Sequence, residues 1–219
     1  MIPIGNFVEI EVEKGTKMVK VGDEEFYIDN SYDPGNHVTT TGVIKSIPTK
    51  LIYKGEKGME WKTSIDIQVG DKVWFQKYEA IQSLGRLADP VLSDFEDNSS
   101  YIIVNDRIHI FIPYSALFCV ERNNEIIMLN GYVIIEPIEK KYNTIFDIPA
   151  KMKVDEATMG KILLMGKPNE EYDFKDYVDT MGYEVGDTVL FRKNNNTPHM
   201  DLFNRKVYKV QRKSVLTKI

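Results

Sequence analysis

The chain has 219 residues, of which 42% are hydrophobic and 28% charged, with a formal net charge of −5. Such a composition belongs to a globular protein and excludes an extended disordered one. The acidic balance argues against a nucleic-acid binder, which needs a basic stripe to neutralise phosphates. The one cysteine, Cys119, lies in the apolar run Ala116-Leu117-Phe118-Cys119-Val120, so it cannot form an internal disulfide and reads as a buried structural thiol.

Taken in chain order, most apolar residues fall in short runs rich in Val, Ile, Phe and Tyr, bounded by Gly, Asn, Asp or Pro, which is strand punctuation. The first strand is expected over Val8–Lys14. A long segment of poor strand character follows from Gly15 to Thr41, interrupted by the apolar cluster Phe26-Tyr27-Ile28. Gly42-Val43-Ile44-Lys45 resumes the strand pattern, and Val69-Gly70-Asp71 reads as a turn feeding Lys72-Val73-Trp74-Phe75. A short helix is expected around Lys77–Leu87, inside an irregular stretch that ends in Glu96-Asp97-Asn98-Ser99-Ser100. Tyr101-Ile102-Ile103 and Ile108-His109-Ile110-Phe111 flank Asn105-Asp106, a hairpin signal.

Beyond Asn123-Asn124-Glu125 the same series recurs. Val8–Lys14 is echoed by Val133–Lys140, Gly42–Lys45 by Gly160–Leu163, Val69–Phe75 by Val185–Phe191, and Asn105–Ile110 by Phe203–Tyr208. Ser115-Ala116-Leu117 and Ser214-Val215-Leu216 close the two copies. The offsets shrink from 125 (8 to 133) through 118 (42 to 160) and 116 (69 to 185) to 98 (106 to 204). Residues have therefore been gained by the first copy in its early loop and again around residues 81–100. Two domains are expected, 1–124 and 125–219. Both are all-β, each with about five to seven short strands in a small closed or partly open barrel. The second copy has its own long weak segment, Lys141 to Met159, holding Ile145-Phe146-Asp147-Ile148, and a second short helix is expected around Glu171–Val178. Structureless stretches of this length are usually functional or disordered.

The ordered set of blocks, present twice, resembles the GroES-type small co-chaperonins. Gly160-Lys161-Ile162-Leu163-Leu164-Met165-Gly166 and Val185–Phe191 carry the nearest likeness. Tandem members of that family are known in chloroplasts, and divergent ones in bacteriophages. The resemblance implies two tandem GroES-like β-barrels with mobile loops and roof hairpins. Phe26, Tyr27 and Ile28 in the first copy, and Ile145, Phe146 and Ile148 in the second, would be the chaperonin-binding residues. Roof hairpins would lie near Leu51–Ile67, with Gly55, Glu56, Lys57 and Gly58 at the tip, and near Lys167–Tyr183. The implied partners are a chaperonin ring of the GroEL type and further copies in a ring-like homo-oligomer. The implied activity is capping an ATP-driven folding chamber, with no bond chemistry and no cofactor.

An enzyme finds little support. His37, His109 and His199 are far apart in sequence, no Cys-x-x-Cys or His-x-x-x-His spacing offers a metal site, and no glycine-rich phosphate loop occurs. Neither a signal peptide nor a membrane-spanning run is evident, so the expected compartment is the cytoplasm, or a host's cytoplasm if the gene is viral. The rival expectation is a non-catalytic structural or assembly protein, for example viral, that uses twin barrels as interaction modules.

Overall fold

A computed structural model describes residues 2–12, 18–21, 24–27, 40–53, 64–84, 100–138, 159–166, 182–192, 199–202 and 205–219. The chain divides into two compact units, Met1–Ile127 and Met128–Ile219. The described residues are mostly β, with one short helix.

The first unit carries β1 (Phe7–Val12), β2 (Met18–Val21), β3 (Glu24–Tyr27), β4 (Thr41–Ser46), β5 (Lys72–Phe75), α1 (Lys77–Leu84), β6 (Tyr101–Val104), β7 (Arg107–Pro113), β8 (Leu117–Arg122) and β9 (Glu125–Met128). Except for the separate β2–β3 hairpin, its strands form one sheet in the order β6-β7-β1-β4-β5-β8-β9. The second unit carries β10 (Tyr132–Pro137), β11 (Met159–Met165), β12 (Thr188–Phe191), β13 (His199–Leu202), β14 (Arg205–Gln211) and β15 (Val215–Lys218). Its sheet runs β13-β14-β10-β11-β12-β15. Among the described residues this is the order of the first sheet with only β9 missing.

The correspondence extends to register. Val8 opposes Ile112 as Val133 opposes Val210, and Gly42 opposes Val73 as Gly160 opposes Val189. Each sheet is irregular at the same two places. The first lies between Glu9 and Ile10 and again between Ile134 and Ile135. The second lies between Trp74 and Phe75 and again between Leu190 and Phe191. The cores match residue for residue. Val133, Ile135, Ile162, Val189, Phe191, Tyr208, Val210 and Val215 form the second. Their counterparts Val8, Ile10, Ile44, Val73, Phe75, Ile110, Ile112 and Leu117 are all buried in the first. Period-two alternation puts these side chains on one face of each sheet, where their burial drives folding at roughly 25 cal/mol per Å² of apolar surface.

Two glycines are required by close approach. A Cβ on Gly42 would stand 2.5 Å from Ile10 Cγ2 and 2.6 Å from the Glu11 carbonyl oxygen. On Gly160 it would stand 2.4 Å from Ile135 Cγ2 and 2.5 Å from the Glu136 oxygen. The glycines of the Val-Gly-Asp turns answer a different need, with φ of +95° at Gly70 and +99° at Gly186.

No closed barrel occurs among the described residues, in contrast to the fully closed form considered from the sequence. The two outer strands of each five-strand array are joined by a 3-10 corner instead of a ladder. Tyr114–Ala116 links β7 to β8, and Arg212–Ser214 links β14 to β15. The corners are pinned alike. Tyr114 N–H donates to Asn6 O (2.7 Å) as Arg212 N–H donates to Gly131 O (3.1 Å), and Gln76 N–H donates to Ala116 O (3.0 Å) as Arg192 N–H donates to Ser214 O (2.7 Å).

The expected short helix is present as α1. The Asn105-Asp106 hairpin also forms, both residues having positive φ (50° and 60°) as the tight two-residue turn requires. The helix expected around Glu171–Val178 lies outside the described residues. The segment Gly15–Thr41, whose strand character is poor in the sequence, holds the β2–β3 hairpin, with Met18 opposite Tyr27 and Val21 opposite Glu24.

Candidate functional site

The long connections between β1 and β4 and between β10 and β11 are the places where the sequence sets apolar clusters in loops. Phe26 and Tyr27 belong to β3, where they pair with Val19 and Met18. Ile28, Ile145, Phe146 and Ile148 lie outside the described residues, as do Gly55, Glu56, Lys57 and Gly58. The flanks of these segments are well defined. β1 and β4 are antiparallel neighbours, as are β10 and β11, so each long connection leaves and re-enters the same end of its sheet.

The feet of the expected roof hairpins are clamped in both units, by different chemistry. In the first, the Asn6 amide donates to Ile52 O (2.9 Å) while Asn6 Oδ1 accepts from Ile52 N–H (2.5 Å), imitating one rung of a ladder. Buried Tyr114 holds the other foot: its hydroxyl donates to Ser64 O (3.1 Å) and accepts from Asp66 N–H (3.1 Å). Burial pushes the Tyr114 phenol up to about 12, so it stays a neutral donor. At the positions of Asn6 and Tyr114 the second unit has Gly131 and Arg212. The Arg212 guanidinium bonds Gly166 O, and Tyr183 O–H donates to Arg212 O (3.4 Å).

Below the clamps sit the Val-Gly-Asp turns. Asp71 Oδ2 accepts from Gln68 N–H (2.8 Å), and Asp187 Oδ2 from Glu184 N–H (2.8 Å). Each aspartate also meets a cation of the closing strand. Arg122 makes a two-pronged contact with Asp71, Nη2 to Oδ2 at 2.6 Å and Nε to Oδ1 at 2.9 Å, whereas Lys218 makes a single contact with Asp187 at 2.8 Å. Burial alone would push the Asp71 carboxyl up, but the hydrogen bonds from Arg122 and from Gln68 N–H outweigh it and hold the group below its ordinary value. Lys218, followed by Glu184 N–H, holds Asp187 down.

One constellation belongs to the first unit alone and was missed from the sequence. On the sheet face opposite Val8, Ile10 and Val12, Glu9 and His109 are both buried, with Glu9 Oε1 2.7 Å from His109 Nδ1. Glu11 Oε2 lies 3.7 Å from His109 Nε2 and 2.9 Å from Lys45 Nζ, and Arg107 Nη1 approaches Glu11 Oε1 at 3.2 Å. The Lys45 hydrogen bond holds the Glu11 carboxyl below its ordinary value. α1 packs on β7 nearby, where Ser83 O–H donates to Phe111 O (3.3 Å). The residues standing for Glu9, Lys45 and His109 in the second unit are Ile134, Leu163 and Val207, so register leaves no such cluster there.

No group of three or more His, Cys, Asp or Glu suited to a metal occurs among the described residues. Cys119 is fully buried. No helix among the described residues is long and apolar enough to cross a membrane. Neither a protein-family model nor a curated protein sequence matches the chain.

Proposed function

We propose that the chain is a tandem co-chaperonin of GroES type, two GroES-like barrels in one polypeptide that cap an ATP-dependent chaperonin ring. The observation that carries this reading is the doubled six-strand order with matched register, each copy holding a long connection between its first two core strands. In this reading the 3-10 corners curl each sheet into the partly open form of the barrel. The apolar clusters at Phe26-Tyr27-Ile28 and Ile145-Phe146-Ile148 are the contacts. The clamped segments beyond Ile52 and Gly166 are the roof hairpins. Several loops engaging one ring gain by effective concentration, so each contact can be weak and the cap stays releasable.

The test is retention of the protein by an ATP-cycling chaperonin ring, comparing wild type with Phe26→Ser/Ile28→Ser and Ile145→Ser/Phe146→Ser. Wild type is expected to be held only while nucleotide is present, with at least one double variant reducing retention about tenfold or more, a loss of about 1.4 kcal/mol. Absence of wild-type retention would favour the twin-barrel assembly protein instead, and equal retention of all three would sink the loop assignment.

A further inference from the structure

His109 is buried within the first unit's charged network and meets a carboxylate at each ring nitrogen. Its side chain is 9% exposed and that of Glu9 6%. Glu9 Oε1 lies 2.7 Å from Nδ1, within hydrogen-bond reach, while Glu11 Oε2 lies 3.7 Å from Nε2, just beyond it. A neutral imidazole carries one N–H and can donate to only one of these carboxylates; the protonated ring can donate to both. Histidine is also the side chain whose charge ordinarily changes between about pH 5 and 8.

The surroundings of the ring come from five elements. β1 supplies Glu9 and Glu11, β4 supplies Lys45, and β7 itself supplies Arg107. β6 sets the uncharged Ile102 opposite His109. α1, packed on β7, carries Lys77 and Glu79. Lys45 at 2.9 Å and Arg107 at 3.2 Å already draw on Glu11. These cations and burial oppose a charge on the ring, and the two carboxylates favour it. Glu11 is followed by Val12, the last residue of β1, where the long connection to β4 departs, and it pairs with Val43 across that gap.

The geometry points to a proton-operated latch: on protonation His109 takes Glu11 as a second partner and draws the end of β1 onto β7. The root of the first long connection is then tightened at low pH and released as pH rises. The sign follows from the donor count. The extra contact exists in the folded sheet and not in the unfolded chain, so it is gained with the proton and lost with it. The second unit has no such device, because Val207 and Ile134 replace His109 and Glu9 although Glu136 keeps the place of Glu11. Of the two long connections, only the first responds. That this regulates a chaperonin contact at Phe26-Tyr27-Ile28 rests on the capping reading; the latch does not, and its test contains no chaperonin.

Amide hydrogen exchange of the full chain at about pH 5.5 and about pH 7.5, corrected for the intrinsic effect of pH on exchange, reads the latch. Raising the pH is expected to lower protection of Glu11 and Val43 by about fivefold relative to their counterparts Glu136 and Lys161, the effect of one charge-assisted contact. His109→Gln keeps a donor that cannot change charge and is expected to flatten the step, whereas Glu79→Gln should leave it in place. The ring nitrogen shifts of His109, followed by NMR, report the proton directly. Equal changes in the two units, a step that survives His109→Gln or disappears in Glu79→Gln, or a ring that keeps one charge state across this range would overturn the inference.

Discussion

The two units share one face of their sheets and differ on the other. Toward the core, the eight positions compared above are apolar and buried in both. On the opposite face, Glu9, Lys45 and His109 of the first unit stand where the second has Ile134, Leu163 and Val207. Packing density penalises change on the inner face at the level of single methylene groups, whereas the outer face can exchange a charged network for apolar side chains without altering strand order or register. The divergence between copies accordingly concentrates in that face, in the clamps and in the loops.

The largest expected effect tests what the copies share. Gly42→Ala and Gly160→Ala force a Cβ against a backbone oxygen that cannot withdraw, so each should cost about 3 kcal/mol, at the upper end for overpacked sites. Denaturant unfolding of both variants checks it; a loss under about 1 kcal/mol in either would break the equivalence.

Next come the aspartates of the Val-Gly-Asp turns, where the copies use the same residue with unequal partners. Arg122→Met leaves buried Asp71 without its two-pronged cation and should cost about 2 kcal/mol. Lys218→Met should cause a much smaller loss, because both partners are more accessible. The pH dependence has a fixed sign. Asp71 is held below its ordinary value, so its contribution is complete above about pH 4 and fades as pH falls through the depressed value. Arg122→Met should remove part of that acid dependence, and parallel pH profiles would contradict the assignment.

The smallest effect tests the charged network itself. His109→Val alone leaves Glu9 buried beside an apolar side chain and should destabilise by about 1–2 kcal/mol. Adding Glu9→Ile installs the second unit's pair, and thermal melts should then show stability restored or raised. Failure of the double variant to recover would mean that the outer faces are not interchangeable.

Much of the fold was legible in the sequence because the repeat is written in the core-facing residues. Glycine at 42 and 160, Val-Gly-Asp at 69 and 185, and Asn105-Asp106 mark positions where local chemistry alone dictates geometry. The β2–β3 hairpin was overlooked although Val19-Lys20-Val21 alternates and Gly22-Asp23 is a two-residue turn signal; only the Glu24-Glu25 start of the second run weakens the pattern. β9 was not legible, since its Asn123-Asn124 entry reads as a polar linker as readily as a turn. The Glu9–His109 pair, separated by 100 residues, depends on β1–β7 register, which no local signal encodes. Of the residues expected to bind a chaperonin, only Phe26 and Tyr27 fall among the described ones, and there as members of a strand.

The 3-10 corners have a consequence for how the chain is made. Because β7 and β8 flank the array that β1 begins, β1 leaves the ribosome about a hundred residues ahead of the strand it pairs with. At ordinary elongation rates that interval is roughly 5–20 s, during which β1 holds its apolar side without its long-range partner. β10 and β14 are closer in sequence, so the second unit completes its array after a shorter wait. Birth order and folding order therefore need not coincide, and the earlier-made half bears the longer exposure to misassembly.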